Sequence, residues 1–239
     1  MAQALAWNAR RLGVPCSVVV PDHAPRAKLA AIERLGGRIV KTPFERWWRV
    51  MTDRAFPGMD GLFVHPFADR AVMAGNGVIG LEILEEVPGA DAVLAGFGGG
   101  GLSCGIAAAF RAGGSGTRVF ACEVATAAPL SASLDAGRPV EVAYSPSFVD
   151  GIGSRTLHDD LWPLASALLA GSLVVDVAAV AGAVRILAER ARVVAEGAGA
   201  APVAAAAAGL AGAGRVVCVV SGGNLDREKL AAILGGAVP

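Results

Sequence analysis

The residue types best suited to chemistry sit in two glycine-rich turns. Residues 91–105 read DAVLAGFGGGGLSCG: a short apolar run of β type, four consecutive glycines (Gly98, Gly99, Gly100 and Gly101), and the opening of a small-residue helix. Four adjacent residues without side chains can turn their N–H groups toward one point and let an anion approach closely. The helix N-terminus behind them adds positive dipole at the same place. The strand-then-helix context predicts a phosphate cradle, with a plain flexible turn as the bland alternative. Residues 216–224, VVCVVSGGN, repeat the arrangement of an apolar β run ending in a polar, glycine-rich turn. In a parallel α/β sheet such strand ends gather on the ligand side.

Other reactive side chains form no constellation. His23, His65 and His158 share no common spacing and read as structural or exposed groups. Cys16, Cys104, Cys122 and Cys218 lie in or beside apolar runs without CxxC or Cys/His spacing, which predicts reduced, buried thiols in a cytoplasmic protein.

The elements that must position the turns follow from the periodicity. Ala2, Leu5, Ala9 and Leu12 have helical spacing, so a helix is expected from residue 1 to Gly13, with neither an N-cap nor a preceding strand; that bare start suggests something missing upstream. A β run at 16–20 leads through PDHAP, with Pro25 at a first helical position, to a helix lined by Leu29, Ile32 and Leu35. A strand at 38–42, a helix at 44–56 and a short strand at 62–64 complete a small α/β layer ending near residue 66. A long helix with Ile79, Ile83 and Val87 on one face then precedes the glycine loop. Strands are expected at 118–122, 173–175 and 216–220, and helices around Val180 to Leu187, in the alanine-rich stretch from Gly197, and at 226–234. The Ser/Pro-rich segment 126–154 reads as a surface excursion.

Composition agrees with a layered α/β protein. Hydrophobic residues make up 54% and aromatics 5%, so the core must come from Ala, Val, Leu and Gly at close approach. Twenty-one basic and 21 acidic residues balance, and no basic run is longer than Arg10-Arg11, which argues against nucleic acid as a partner. Neither apolar stretch, 164–184 with Asp176 inside it nor 197–212 with Pro202, is a uniformly large-apolar 20-mer, so no membrane span is expected. No signal peptide is evident at the N-terminus.

Taken in order, these motifs resemble the pyridoxal-phosphate (PLP) enzymes of the tryptophan-synthase-β fold, in particular the threonine/serine dehydratases and serine racemase. AQALAWNARRLGVPCSVVVPDHAPRAKLAAIERLGG is similar to the family's helix-strand-helix after its Ser-Gly-Asn loop. HPFADRAVMAGNGVIGLEILEE resembles its crossing segment, with Asn76 and Val78 departing. GGGGL, DGI at 150–152, EGAGA at 196–200 and SGGN at 221–224 follow in family order. The resemblance implies an α/β fold of three-layer, open parallel sheets, with residues 1–66 as the remainder of an incomplete small domain and 67–239 as the large PLP-binding domain. It implies that the N–H groups of Gly98, Gly99, Gly100 and Gly101 hold the cofactor phosphate with Leu102 beside it, that Ser221 faces the pyridine nitrogen, and that Gly151 and Glu196 lie near the ring. Ser221 could instead cap its turn, and Glu196 could cap the helix beginning near Gly197.

The implied activity is a PLP-dependent ammonia-lyase of the L-threonine/L-serine dehydratase type, acting on an amino-acid substrate in a homodimer or homotetramer. The family's Schiff-base lysine sits in a Ser-x-Lys-x-Arg context. The lysines here are Lys28, Lys41 and Lys229, none of them in that context. The expectation is therefore an N-terminally shortened chain lacking the catalytic lysine, with a non-catalytic PLP-fold binding module or an amino-acid racemase as alternatives. A dinucleotide-binding domain fits less well, because four adjacent glycines do not have GxGxxG spacing. Family members with a divalent metal would place its ligands at Glu123, Ala127 and Pro129; Pro129 has no carboxylate, so no metal site is expected.

Overall fold

The computed structural model describes residues 1–239, which divide into two compact units, Met1–Pro66 and Phe67–Pro239. In the first, α1 (Ala2–Leu12), β1 (Ser17–Pro21), α2 (Arg26–Arg34), β2 (Arg38–Thr42) and α3 (Phe44–Asp53) follow one another. β1 and β2 pair in parallel with Ser17 opposite Arg38 and Pro21 opposite Thr42, as a β-α-β connection through α2 allows. Ala6, Val18, Val20 and Ile32 form the local core.

The helix expected from residue 1 to Gly13 forms as α1, and one expectation fails here. α1 turns Ala6 and Ala9 inward, while Leu12 is 75% exposed. The reason is proximity: a Cβ on Gly37 would stand 3.2 Å from the Ala6 methyl, and only small side chains fit that seam. The strand expected at 62–64 is absent, with Leu62 92% exposed. No neighbouring strand pairs with it, and an apolar run without a partner edge does not make a strand.

The second unit runs α4 (Arg70–Glu86), β3 (Ala92–Gly96), α5 (Gly101–Ala112), β4 (Arg118–Val124), α6 (Pro129–Ala136), α7 (Trp162–Leu168), β5 (Gly171–Val175), α8 (Val177–Ile186), a π-helical turn (Leu187–Ala191), α9 (Gly197–Ala207), β6 (Val216–Cys218) and α10 (Arg227–Leu234). Its four strands are all parallel, in the order β5-β4-β3-β6. β3 is buried along its whole length, which is why its sequence, AVLAG, shows no polar alternation. Ala92, Leu94, Cys122 and Val124 pack on one face with α8 and α9, whereas Val93, Ala95, Val119 and Ala121 pack on the other with α5 and α7. The segment 126–154 is not a mere surface excursion: it contains α6 and sends Leu130, Phe148, Val149 and Ile152 into the core. Its Ser and Pro content hides apolar residues spaced too irregularly to show a period. No helix is long and apolar enough to cross a membrane.

The glycine loop is aimed by the packing of α5 on α4. Gly77 and Gly80 of α4 face Gly105, Ile106 and Ala109 of α5; a Cβ on Gly77 would lie 3.1 Å from the Gly105 carbonyl oxygen, and one on Gly80 would lie 3.0 Å from that of Ile106. A Cβ on Gly105 would collide with the Met73 carbonyl oxygen. Two backbones therefore meet almost directly, and the sheet face of α5 carries Cys104, Ile106, Ala107 and Phe110 into the core.

Gly105→Ala should force these helices apart and cost about 1–3 kcal/mol, the range for overpacking a close-packed contact. Gly75→Ala, on the exposed face of α4 with nothing within 4 Å, should instead gain about 0.5–1 kcal/mol by helix propensity. Urea unfolding midpoints of the two variants check the opposite signs. Burial also pushes the Cys104 thiol up to about 12 and raises Cys16, Cys122 and Cys218 above the ordinary range. Near pH 8 only roughly one Cys104 in 10⁴ is then thiolate, so Cys104 and Cys122 should resist a thiol reagent in the native protein, and all four should react promptly in denaturant.

Candidate functional site

The loop between β3 and α5 is built from positions that have no room for a side chain. Phe97 N–H donates to the Cys122 carbonyl at 2.9 Å, the last sheet-like bond before the chain turns. Gly100, at φ 90°, occupies the N-cap of α5 in the left-handed region that favours glycine. A Cβ on Gly98 would lie 2.9 Å from the Gly151 carbonyl oxygen, one on Gly101 would lie 2.5 Å from that of Phe67, and one on Gly99 would run into the Phe67 ring. The N–H groups of Gly98, Gly99, Gly100 and Gly101 donate to no backbone carbonyl. They stand at the end of a buried parallel strand and the start of a 12-residue helix, where an anion would meet both donors and dipole. Leu102, in the first turn of α5, is partly buried among the core residues below.

The remaining predicted residues converge on the same end of the sheet. Gly151 touches Gly98 on one side; on the other, its Cβ position lies 2.7 Å from the Ala198 methyl and 3.8 Å from Glu196 Oε1. Glu196 Oε1 in turn lies 2.5 Å from where a Cβ on Gly222 would stand, and Glu196 N–H donates to the Gly222 carbonyl at 2.9 Å. Gly98, Gly151, Glu196 and Gly222 thus form a continuous chain of contacts between four loops that are far apart in sequence. Glu196 holds the N-cap position of α9, but its side chain makes no capping bond there, so the capping alternative for this residue does not describe its contacts. Ser221 is exposed, and its backbone nitrogen lies 3.3 Å from where a Gly199 Cβ would stand.

Residues that the motifs contain or adjoin, but to which they gave no role, complete the frame. Phe67 roofs Gly99 and Gly101 and meets the His158 ring edge-on at 5.8 Å between centroids. His158 Nδ1 lies 3.7 Å from Asp160 Oδ2. Phe67 lies in the HPF segment quoted above, two residues before Asp69, whose carboxylate accepts from Ala71 N–H at 2.8 Å and caps α4. Buried Ser103 donates to the Gly96 carbonyl at 3.1 Å, binding the first turn of α5 to the end of β3. Pro202 lies inside α9 and has no N–H for the Ala198 carbonyl, and that carbonyl faces Gly96 at 2.7 Å from its Cβ position.

Glu123, at the end of β4, is fully buried. Its Oε1 accepts from Leu130 N–H at 2.9 Å, and its Oε2 accepts from Ser131 N–H at 2.8 Å and Ser172 Oγ at 2.6 Å. Burial raises its pKa and the three donors pull it back, with burial the larger influence. His65, buried, bonds the Met51 carbonyl at 3.1 Å, and His23 stands exposed beside Asp22. Of the lysines, Lys28 lies in α2, Lys41 in β2 and Lys229 in α10.

The comparisons with known proteins bear on the family and the fold. Residues 1–222 match the family of pyridoxal-phosphate dependent enzymes. The chain is 36% identical over 237 residues to an L-threonine ammonia-lyase of Geobacter sulfurreducens, covering 98% of this chain and 59% of that protein. It is 31% identical over 240 residues to a serine racemase of Oryza sativa subsp. indica, covering 94% and 68%. Among solved structures, maize serine racemase superposes with a TM-score of 0.85 at 29% identity, over 98% of this chain and 74% of that one. The processed form of threonine deaminase isoform 2 from Solanum lycopersicum superposes at 0.84 with 27% identity, over 99% and 70%. The chain therefore spans about three fifths of the length of the threonine ammonia-lyase it matches, and by its sequence and its parallel α/β fold it belongs to the pyridoxal-phosphate dependent enzyme family.

Proposed function

We propose that this chain binds pyridoxal 5'-phosphate through the loop Gly98, Gly99, Gly100 and Gly101, and that its family role is α,β-elimination of a β-hydroxy amino acid of the L-threonine/L-serine type. The observation that carries the reading is the loop itself: four adjacent N–H groups without backbone partners at the start of α5, at positions where neighbouring atoms exclude a Cβ. That donor set suits a phosphate dianion, because each N–H bond to a charged acceptor is worth more than a neutral one. Leu102 packs beside the phosphate, Gly151 and Glu196 line the ring, and Ser221 serves its nitrogen. A neutral hydroxyl at the nitrogen leaves the ring a weaker electron sink than a carboxylate would, which is enough for elimination. When bound, the cofactor supplies the electron sink that makes the α-proton of an amino acid removable.

The chain's own residues hold and orient. Phe67 packs against Gly99 and Gly101, and Gly98, Gly151 and Gly222 keep further side chains out of the space around Glu196 and the loop. In elimination the α-proton is removed, the β-hydroxyl leaves as water, and hydrolysis then releases a 2-oxo acid and ammonia. Serine racemases and threonine ammonia-lyases stand among the relatives together, so racemisation of the same substrates is the second reading within the family. The lysine inventory favours a further one for the 239-residue chain, a PLP-fold module that binds without turnover: none of Lys28, Lys41 and Lys229 has the Ser-x-Lys-x-Arg setting.

Equilibrium dialysis of the purified chain against PLP and against pyridoxal is the direct test. PLP should bind saturably and pyridoxal at least about tenfold more weakly, since the phosphate supplies the charge-assisted bonds. Gly99→Ala should weaken PLP uptake roughly 10- to 100-fold through the collision with Phe67. Borohydride treatment followed by denaturation should leave no reduced cofactor on the protein, and threonine should yield no 2-oxobutanoate. Equal affinity for pyridoxal and PLP would overturn the phosphate assignment, whereas 2-oxobutanoate release would exclude the module reading and support the lyase.

A further inference from the structure

We propose that Glu123 is a positioning residue: a carboxylate clamp that joins β4, β5 and α6, backs the loop carrying Gly151, and does by hydrogen bonding what a divalent cation would do at that corner. Pro129, the first residue of α6, sets the need for it. It has no N–H, and Ala128 at the N-cap makes no side-chain capping bond, so the first free donors of the helix are Leu130 N–H and Ser131 N–H. Glu123 takes both, one on each oxygen, from seven and eight residues upstream. Oε2 also takes Ser172 Oγ from the edge strand β5. A negative charge at a helix N-terminus with three donors is the arrangement that makes a buried carboxylate tolerable.

The clamp determines the course of the turn between β4 and α6. Ala127 N–H donates to the Val124 carbonyl at 3.0 Å, and the Thr126 carbonyl accepts from Ser145 N–H at 2.9 Å. Gly153, at φ 92°, fits over this turn: its Cβ position lies 3.6 Å from both the Ala127 methyl and Val124 Cγ1, and 3.7 Å from the Ala127 carbonyl oxygen. Two residues earlier, the Gly151 carbonyl rests on Gly98. The path from Glu123 to the glycine loop is thus a short series of packed backbone segments, β4–α6 turn to residues 151–153 to Gly98.

The same geometry answers the expectation about a metal. Both Glu123 oxygens are already engaged by backbone and hydroxyl donors, Pro129 offers no second carboxylate, the Ala127 carbonyl lies against Gly153, and no group of three His, Cys, Asp or Glu side chains stands together anywhere in the chain. A cation at this corner would have to displace an N–H from the carboxylate and would find too few oxygens in return. The residues do not fit a resident divalent ion, and the helix terminus supplies the positive partner instead.

Thermal unfolding and PLP dialysis of the 239-residue chain test the proposal. Only the dialysis readout rests on the proposed cofactor binding. Magnesium, calcium or EDTA should leave the unfolding temperature unmoved, whereas a resident site well saturated with cation would raise it by roughly 5–10 °C. Glu123→Gln offers one acceptor where two N–H groups point and should lower the unfolding temperature by roughly 4–10 °C. Ser172→Ala, the milder lesion, should lower it by roughly 2–4 °C, and Ser172→Thr, which keeps the hydroxyl on a strand, should restore it. At a temperature where every variant is folded, Glu123→Gln should weaken PLP binding about tenfold or more, with Ser172→Thr like the wild type. A cation-induced rise in the wild type that Glu123→Gln abolishes, or equal unfolding temperatures for Ser172→Ala and Ser172→Thr, would overturn the clamp. Wild-type chain that takes up no PLP would count against the cofactor reading and leave the thermal comparison standing.

Discussion

The constraint on which the second unit depends is backbone-to-backbone closeness at the C-terminal ends of its strands. Phe67, the loop at 150–153 and α9 occupy the volumes where side chains at Gly96, Gly98, Gly99, Gly101 and Gly151 would be. Each of those segments can approach only because its neighbour is a glycine, so the loop's shape belongs to the whole assembly and not to a flexible turn. Glycine is costly in a chain that must be ordered, and a run of four is most costly. The tight packing on all sides offsets that cost and leaves the N–H groups as the unengaged face.

The same closeness runs through the helices around the site. α4 meets α5 glycine to glycine, which holds the two helices close together behind the loop. α9 places Glu196 at its N-terminus, beside Gly151 and Gly222, while Pro202 leaves a carbonyl without its helical donor, turned toward Gly96. Alanine and glycine supply the core where a chain richer in large side chains would hold these elements further apart. The abundance of small residues is therefore what makes this site geometry possible.

Two carboxylates, Glu196 and Glu123, carry the charge near the glycine loop. The loop offers N–H dipoles without a basic side chain, Glu196 stands against Gly151 and Gly222, and Glu123 is engaged by a helix terminus. A phosphate met by backbone donors alone is held by geometry, so a displacement of the loop's backbone matters more than any surface charge.

What the sequence by itself determined was the order and type of the elements near the site. The apolar run AVLAG, the four glycines and the small-residue helix opening are local features, and local features survive translation into structure because strand burial, glycine freedom and helix initiation act within a few residues. The ordered motifs likewise pointed to the parallel α/β fold of the PLP enzymes. Only the tertiary structure decided which residues touch. That Gly98, Gly151, Glu196 and Gly222 form one chain of contacts, that Phe67 roofs the loop, that the 62–64 run stays unpaired, and that Glu123 caps a helix seven residues on are consequences of long-range packing. Spacing along the chain carries no information on these, because each depends on which distant backbone comes near enough to exclude a Cβ or to present an N–H.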